Sequence, residues 1–373
     1  VSVLHLSTDF ARQALYVQLV RVLAKLGIRQ MVYVPVRTPE EVDKNRDDSI
    51  PEVQWRFSFI LNLWLKINYF RKIKVVERDV LRHFSLTDVQ VIHAHFMFSD
   101  GGVALSLSKR LNVPYIVAFR NTDLNAYFKY AFHLRRHGLR ILLNAEKIIF
   151  ITPSYKQKLL LQYIPKNHHS AIEEKSVIIP NGVDDFWIDN RYSDKRRIGD
   201  VIRLLYVGEF SKNKNIQGII RACGKLKTKY RLSLTLVGDY GDYRAQIHQM
   251  ASQVDFMTIH SRVNDRTVLR DLYRSHDVFV MPSFFETFGV VYLEALSQSL
   301  PIIFSKGQGI DGYFEEGEVG YGVDPENDSD IADKIEQVIL NYDSITAHSF
   351  DLEQFRWSAI ALRYQQLYNE VKR

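Results

Sequence analysis

Two glutamates, Glu286 and Glu294, stand eight positions apart in the run Pro282-Ser283-Phe284-Phe285-Glu286-Thr287-Phe288-Gly289 and the apolar pattern that follows it. Carried on one helix, that spacing corresponds to about 12 Å of rise at roughly 1.5 Å per residue. Such a span brackets an extended diphosphate held between two hydroxyl-rich sugars. Each carboxylate can accept hydrogen bonds from vicinal hydroxyls. The unpaired N–H groups and positive dipole end of a helix start suit the phosphates between them. Spacing alone equally fits a capped helix, with Glu286 near its start and Glu294 on its solvated face.

Other patterns invite chemistry and then lose it. Gly307-Gln308-Gly309-Ile310-Asp311-Gly312 matches a dinucleotide fingerprint, but Gly317, Gly320 and Gly322 follow where a helix should open. That loop reads either as backbone approaching a ligand or as a flexible turn. Asp328-Ser329-Asp330 has the spacing of a metal-binding pair, yet it follows Pro325 at a helix start, where aspartates cap N–H groups. His93 and His95 alternate on a strand end and share a face. With no third ligand in view, they read as site-lining or hydrogen-bonded groups, and no metal site is expected. Trp55 to Val76 combines aromatic and aliphatic residues with Arg56, Lys66, Arg71, Lys72 and Lys74. It reads as a helix covering its sheet with the basic residues outward, or as a segment lying in a membrane interface.

The elements that must position these residues are α/β units. Val1–Leu6 and Gln30–Val36 are strand-like runs separated by helical spacing over Ala14–Leu26, which Gly27 stops. The pattern recurs at Val89–His95, a helix from Gly102 to Leu111, and Val113–Phe119, with further strands at Lys147–Thr152 and Ser176–Ile179. After the turn Pro180-Asn181-Gly182 a polar, aperiodic stretch runs to Asp200, and then strands and helices alternate again up to Pro301–Phe304. Buried strands alternating with amphipathic helices predict doubly wound parallel sheets, with ligands outside the carboxyl ends of the strands. A length of 373 residues exceeds one ordinary core. The predicted domains are residues 1–182 and 183–351, with the helix at 352–373 returning to the first.

Composition narrows the class. Apolar residues at 46% and charged residues at 25% describe a globular chain rather than a disordered one. The single Cys223 excludes an internal disulfide framework and fits a reducing, cytoplasmic setting. No eighteen-residue apolar stretch predicts a membrane span. The net charge of +6 comes from scattered Lys and Arg without a nucleic-acid motif, so an anionic membrane surface or a phosphate-bearing substrate is the better partner.

The run PSFFETFGVVYLEALSQSLPII resembles the paired-glutamate signature of family 4 retaining glycosyltransferases. VIHAHFMFSDGG at 91–102, VIIPNGVDDFW at 177–187, YVGEFSKNKNIQGIIRA at 206–222, LTLVGDYG at 234–241 and FRWSAIALRYQQLY at 355–368 extend the likeness over most of the chain. The resemblance implies the GT-B architecture, two Rossmann-like domains with a cleft between them, and a metal-independent hexosyl transfer with retention. The donor would be a UDP- or GDP-sugar with no cofactor, and the acceptor a glycan or lipid-linked glycan in cell-surface polysaccharide assembly. It implies that Glu286 contacts the donor sugar, that Glu294 binds the ribose, and that Thr287, Phe288 and Gly289 lie by the sugar and phosphate. Gly208 and Gly238 would line the donor. Lys214, six residues beyond Gly208, would sit on the diphosphate, against the alternative of a solvated pair with Lys212.

Some positions depart from the family pattern. Glu209 stands where relatives carry arginine, and Arg120 in Phe119-Arg120-Asn121-Thr122-Asp123 stands where many carry histidine. A guanidinium can hold an anion but cannot accept a proton near neutral pH. Arg120, Asp123 and His95 are expected on the acceptor side of the cleft, or else in a plain ion pair or cap. Ser7 to Arg12 lacks the usual glycine-rich turn. An epimerase or phosphorylase on this fold, and a non-catalytic nucleotide-sugar-binding subunit, are the alternative readings.

Overall fold

The computed structural model describes residues 1–372. Among them, one sheet of seven strands comprises β1 (Ser2–Leu6), β2 (Arg29–Val36), β3 (Val53–Phe59), β4 (Val91–Ala94), β5 (Tyr115–Phe119), β6 (Lys147–Phe150) and β7 (Ser176–Ile178). The second sheet comprises β8 (Val201–Val207), β9 (Arg231–Gly238), β10 (Met257–Ser261), β11 (Val278–Val280), β12 (Ile302–Ser305) and β13 (Gly320–Val323). The strand orders are β3-β2-β1-β4-β5-β6-β7 and β10-β9-β8-β11-β12-β13, and the pairings are parallel.

Parallel pairing follows from the strand sequences. SVLHL, VIHA and YIVAF are buried at every position, so both faces must be covered, as helical crossovers do. Each sheet reverses its strand order once, between β1 and β4 in the first and between β8 and β11 in the second. Those reversals splay the following loops apart and are where open sheets bind ligands.

Contacts divide the chain into two compact units. The first is residues 1–151, 155–182 and 357–373; the second is 152–154 and 183–356. In the first, the helix Trp357–Val371 buries Ile360, Tyr364, Leu367 and Tyr368 against Leu19, Leu23, Val3 and Ile116. It begins five residues later than the predicted Leu352, because Glu353–Phe355 forms a separate 3-10 turn; Arg373 lies outside the described residues.

The 55–76 segment is not one helix. Trp55 to Phe59 complete β3, edge-paired to β2, and short and longer helices follow at Leu63–Ile67 and Tyr69–His83. Alternation of Trp55, Phe57 and Phe59 with Arg56 and Ser58 is the period of a strand, outvoted in the sequence reading by the basic stretch after it. The basic residues are not uniformly outward either: Lys72 is buried, because it lies on the same face as Tyr69, Ile73, Val76 and Val80. The Lys66 side chain lies outside the described residues.

Candidate active site

The loops after β8 and β11, on either side of the reversal in the second sheet, bring Lys214 and Glu286 together. Lys214 ends a 3-10 turn at Lys212–Lys214, and its Nζ donates to Glu286 Oε2 at 2.7 Å, with both side chains largely buried. The pair is therefore not a solvated Lys212/Lys214 patch. Asn213 zips the loops side by side. Its Nδ2 donates to the Phe285 carbonyl at 2.9 Å, its Oδ1 accepts from the Phe285 N–H at 3.0 Å, and its own carbonyl accepts from Phe284 N–H at 2.9 Å.

Glu286 does not share a helix with Glu294. The helix runs Val290–Ser297, and Glu286 precedes its N-cap, Gly289, by three residues. Gly289 has φ +77°, and a Cβ there would meet the Tyr292 ring at 2.4 Å, so only glycine turns the chain into this helix. Without a capping side chain, the helix start presents backbone alone. Glu294 is four residues into the helix, roughly 6 Å of rise from its start. The Thr287 N–H donates to Glu286 Oε1 at 3.1 Å, whereas the Phe288 ring is buried against Tyr313 and Phe355 and leaves only its backbone for a ligand.

Glu294 is not on a solvated face. Tyr273, fully buried on the helix Arg266–Arg274, donates its hydroxyl to Glu294 Oε2 at 3.0 Å. Burial pushes the Glu294 carboxyl up to about 7; the tyrosine hydrogen bond opposes this, Asp184 adds repulsion and Arg266 offsets it. Asp184 is itself paired to Arg266 at 2.9 Å. Sequence offered no signal for Asn213 or Tyr273, because each acts across more than twenty residues of chain.

The glycines have separate reasons. A Cβ on Gly238 would lie 1.9 Å from the Gly208 carbonyl oxygen, so the ends of β8 and β9 touch backbone to backbone. The loop at 307–312 opens no helix; instead Gly309 N–H donates to the Glu286 carbonyl at 2.9 Å, and a Cβ there would meet Glu286 Cγ at 2.9 Å. That loop props the site glutamate. Asp328 and Asp330 are not the helix cap: Asn327 accepts from the N–H groups of Ser329 and Asp330, while Asp328 pairs with Arg221. Glu209 is exposed.

His95, Arg120 and Asp123 also converge, in the first unit. Asp123 accepts from the N–H groups of Met97, Phe98 and Arg120 at 3.1, 2.9 and 2.9 Å, which ties the loop after β5 to the loop after β4. Burial still raises its carboxyl to about 6. Arg120 Nε donates to the His95 carbonyl at 3.1 Å, and its guanidinium lies 5.9 Å from the Tyr16 ring centre. His93 and His95 have the third neighbour that sequence did not reveal. His5 Nδ1 is 3.0 Å from His95 Nε2, and one nitrogen of each of the three rings lies within 4.8 Å of the others. The His93 and His95 rings are stacked, with centroids 4.0 Å apart, and burial lowers the pKa of all three imidazoles.

Two parallel α/β units, with a lysine–glutamate pair beside a bare helix start and a second glutamate within that helix, define a GT-B protein equipped for an anionic, hydroxyl-bearing ligand. The family model for glycosyl transferases group 1 matches residues 189–351, and that for glycosyltransferase family 4 matches residues 14–185. The chain belongs to family 4 of the glycosyltransferases, retaining enzymes that use nucleotide sugars. It is 27% identical over 306 residues to a D-inositol 3-phosphate glycosyltransferase of Paenarthrobacter aurescens, covering 75% of this chain and 72% of that one. Sucrose-phosphate synthase from Thermosynechococcus elongatus shares the fold, with a TM-score of 0.72 and 20% identity over 99% of this chain and 98% of that one. Anabaena HepE, solved with UDP-glucose, gives a TM-score of 0.67 at 14% identity over 99% of each chain.

Proposed function

We propose that the chain moves a hexosyl group from a UDP- or GDP-sugar to a glycan or lipid-linked acceptor in cell-surface polysaccharide assembly. The observation that carries this reading is the Lys214–Glu286 ion pair set beside the uncapped start of the Val290–Ser297 helix. A cation and a positive dipole end stabilise a diphosphate as it leaves, and they act most strongly when negative charge is greatest, in the transition state. Glu286 then faces the sugar whose anomeric carbon gains positive character, and Glu294 accepts from the ribose hydroxyls. Anabaena HepE, a relative in fold, binds UDP-glucose, which makes the uridine form the first donor to try. Turnover of a panel of UDP- and GDP-hexoses, with EDTA present, tests the reading. Hydrolysis or transfer from one of them is expected; a chain that binds none has lost the donor reading.

Membrane contact through residues 55–76 belongs to the same proposal. Leu63, Trp64 and Ile67 expose 73%, 79% and 76% of their surface, and the basic Arg71 follows on the next helix. Among the described residues no helix is long and apolar enough to cross a bilayer, so such contact would be interfacial. Wild type is expected to sediment with vesicles containing phosphatidylglycerol at low salt, and less so as salt screens the charge. Trp64→Ser with Arg71→Glu should stay in the supernatant; equal sedimentation of the two proteins would remove the membrane claim.

A further inference from the structure

A small cavity of about 200 Å³ opens in the first unit, beyond the carboxyl ends of β2 and β3. Arg37, which follows β2, and Lys72 and Tyr69, on the helix Tyr69–His83, line it together with Asn62, Tyr127 and His133. Sites that enclose a drug-sized ligand measure roughly 300–1,000 Å³, so this one takes a single small group rather than a whole glycan.

Its charge is unusual. Lys72 is only 8% exposed, and its Nζ donates to the Ser99 carbonyl at 3.2 Å. Among the described residues no carboxylate lies within ion-pair distance of it. Asp100, a nearby acid, is engaged by Thr8 through both backbone and hydroxyl. A buried ammonium without a contact carboxylate is costly, and such groups gather where a ligand supplies the missing charge. Burial accordingly lowers the Lys72 pKa. Arg37 is fixed from behind, its N–H donating to Glu41 Oε2 at 2.8 Å, and its guanidinium stands 3.6 Å from Asp9. Asp100, Asp9 and Asp123 act on Lys72 from a distance and none is in ion-pair contact with it, while Arg37 and Lys72 around one small space form the usual phosphate pairing.

We propose that the cavity lined by Arg37, Lys72 and His133 binds a phosphate group of the acceptor. The assignment deepens the transferase reading above and rests on it for the word acceptor. Ile67, 76% exposed, lines the cavity; Leu63 and Trp64 stand on the same short helix, and Phe132, 66% exposed, directly precedes the lining residue His133. That apolar margin suits an isoprenoid or acyl phosphate, while the cavity itself would equally take a sugar phosphate; the chemistry common to both is the phosphate.

The test is thermal stabilisation of wild type and Lys72→Met by inorganic phosphate, glucose 6-phosphate, farnesyl phosphate and acetate, with and without saturating UDP to occupy the donor site. Phosphate compounds should raise the wild-type melting temperature with UDP present, and acetate should not. Lys72→Met fills similar volume without a buried charge, so it should melt no lower than wild type when probe-free and lose the phosphate increment. Arg37→Gln, at an exposed position, should weaken phosphate about tenfold or more. A larger increment from farnesyl phosphate identifies a lipid source, and a larger one from glucose 6-phosphate a soluble source. A phosphate increment retained in both variants, or matched by acetate, overturns the site. Failure of UDP to stabilise wild type would instead count against the donor reading, since the phosphate arms are also run without it.

Discussion

Glu286→Gln is expected to lower sugar transfer by about tenfold or more while leaving UDP binding close to wild type, because in the proposed role it removes the charge that faces the reacting carbon, and it leaves Lys214 without its carboxylate partner. Size is preserved, and the loop that carries residue 286 is held by Asn213 and Gly309 through backbone groups that the substitution does not touch. Lys214→Ala should also reduce turnover, through the leaving diphosphate. The two side chains are 2.7 Å apart in the free protein, so their effects should not multiply. Each single variant loses its own contact with the donor and leaves its former partner as an uncompensated, largely buried charge. The double variant removes that second penalty. Single-turnover rates of the four proteins, with folding checked by circular dichroism, measure the coupling. Strictly multiplicative losses would mean that the ion pair has no bearing on the reaction, and unchanged rates would return both residues to a structural role.

Glu294 predicts opposite pH trends for binding and for stability. Its carboxyl sits at about 7, against an ordinary value of 4.5, chiefly because it is buried. In its proposed role, accepting from the ribose hydroxyls, it binds better as the carboxylate. One pH unit below its pKa only about a tenth of such groups are ionised, so affinity should rise up to about tenfold between pH 6 and pH 8. UDP-glucose is the right probe, since its diphosphate diester does not titrate there, whereas free UDP does. The stability contribution has the other sign. A raised carboxyl pKa means the fold favours the protonated form, so this contribution is present at low pH and is lost as pH rises through about 7. Buried Asp100, raised to about 7, and Asp123, raised to about 6, act in the same direction. Glu294→Gln removes only its own share. That variant should bind UDP-glucose about tenfold more weakly at pH 8, in line with the loss of a charge-assisted hydrogen bond, and its affinity should be flat with pH. A Glu294→Gln titration that keeps the wild-type pH dependence would assign the trend to another group.

What the sequence determined by itself was the local grammar. Parallel sheets were legible because β1, β4, β5 and β12 are short apolar runs with no polar alternation, which only a doubly covered strand tolerates. Edge strand β3 was missed because its alternation was short and ran straight into a basic, aromatic stretch. Gly289 and Gly309 were visible as residue types, and the run around Glu286 identified the family through resemblance. The apolar pattern after the loop marked the helix that carries Glu294, and the steric demand at Gly289 sets its start at Val290, after Glu286.

What only the tertiary structure decided was which side chains meet. The contact of Lys214 with Glu286 joins residues 72 positions apart, because β8 and β11 are neighbours in the sheet without being neighbours in the chain. Tyr273 meets Glu294 across the two helices that flank β11, and the pairing of β1 with β4 brings His5 beside His95. Burial too is a property of the packed unit: Lys72 reads as one member of a solvated basic run until the face it shares with Ile73 and Val76 is turned inward. Periodicity reports which residues share an element and a face. The environment that shifts a carboxyl to about 7 depends on what covers that face, and the covering groups lie elsewhere in the chain.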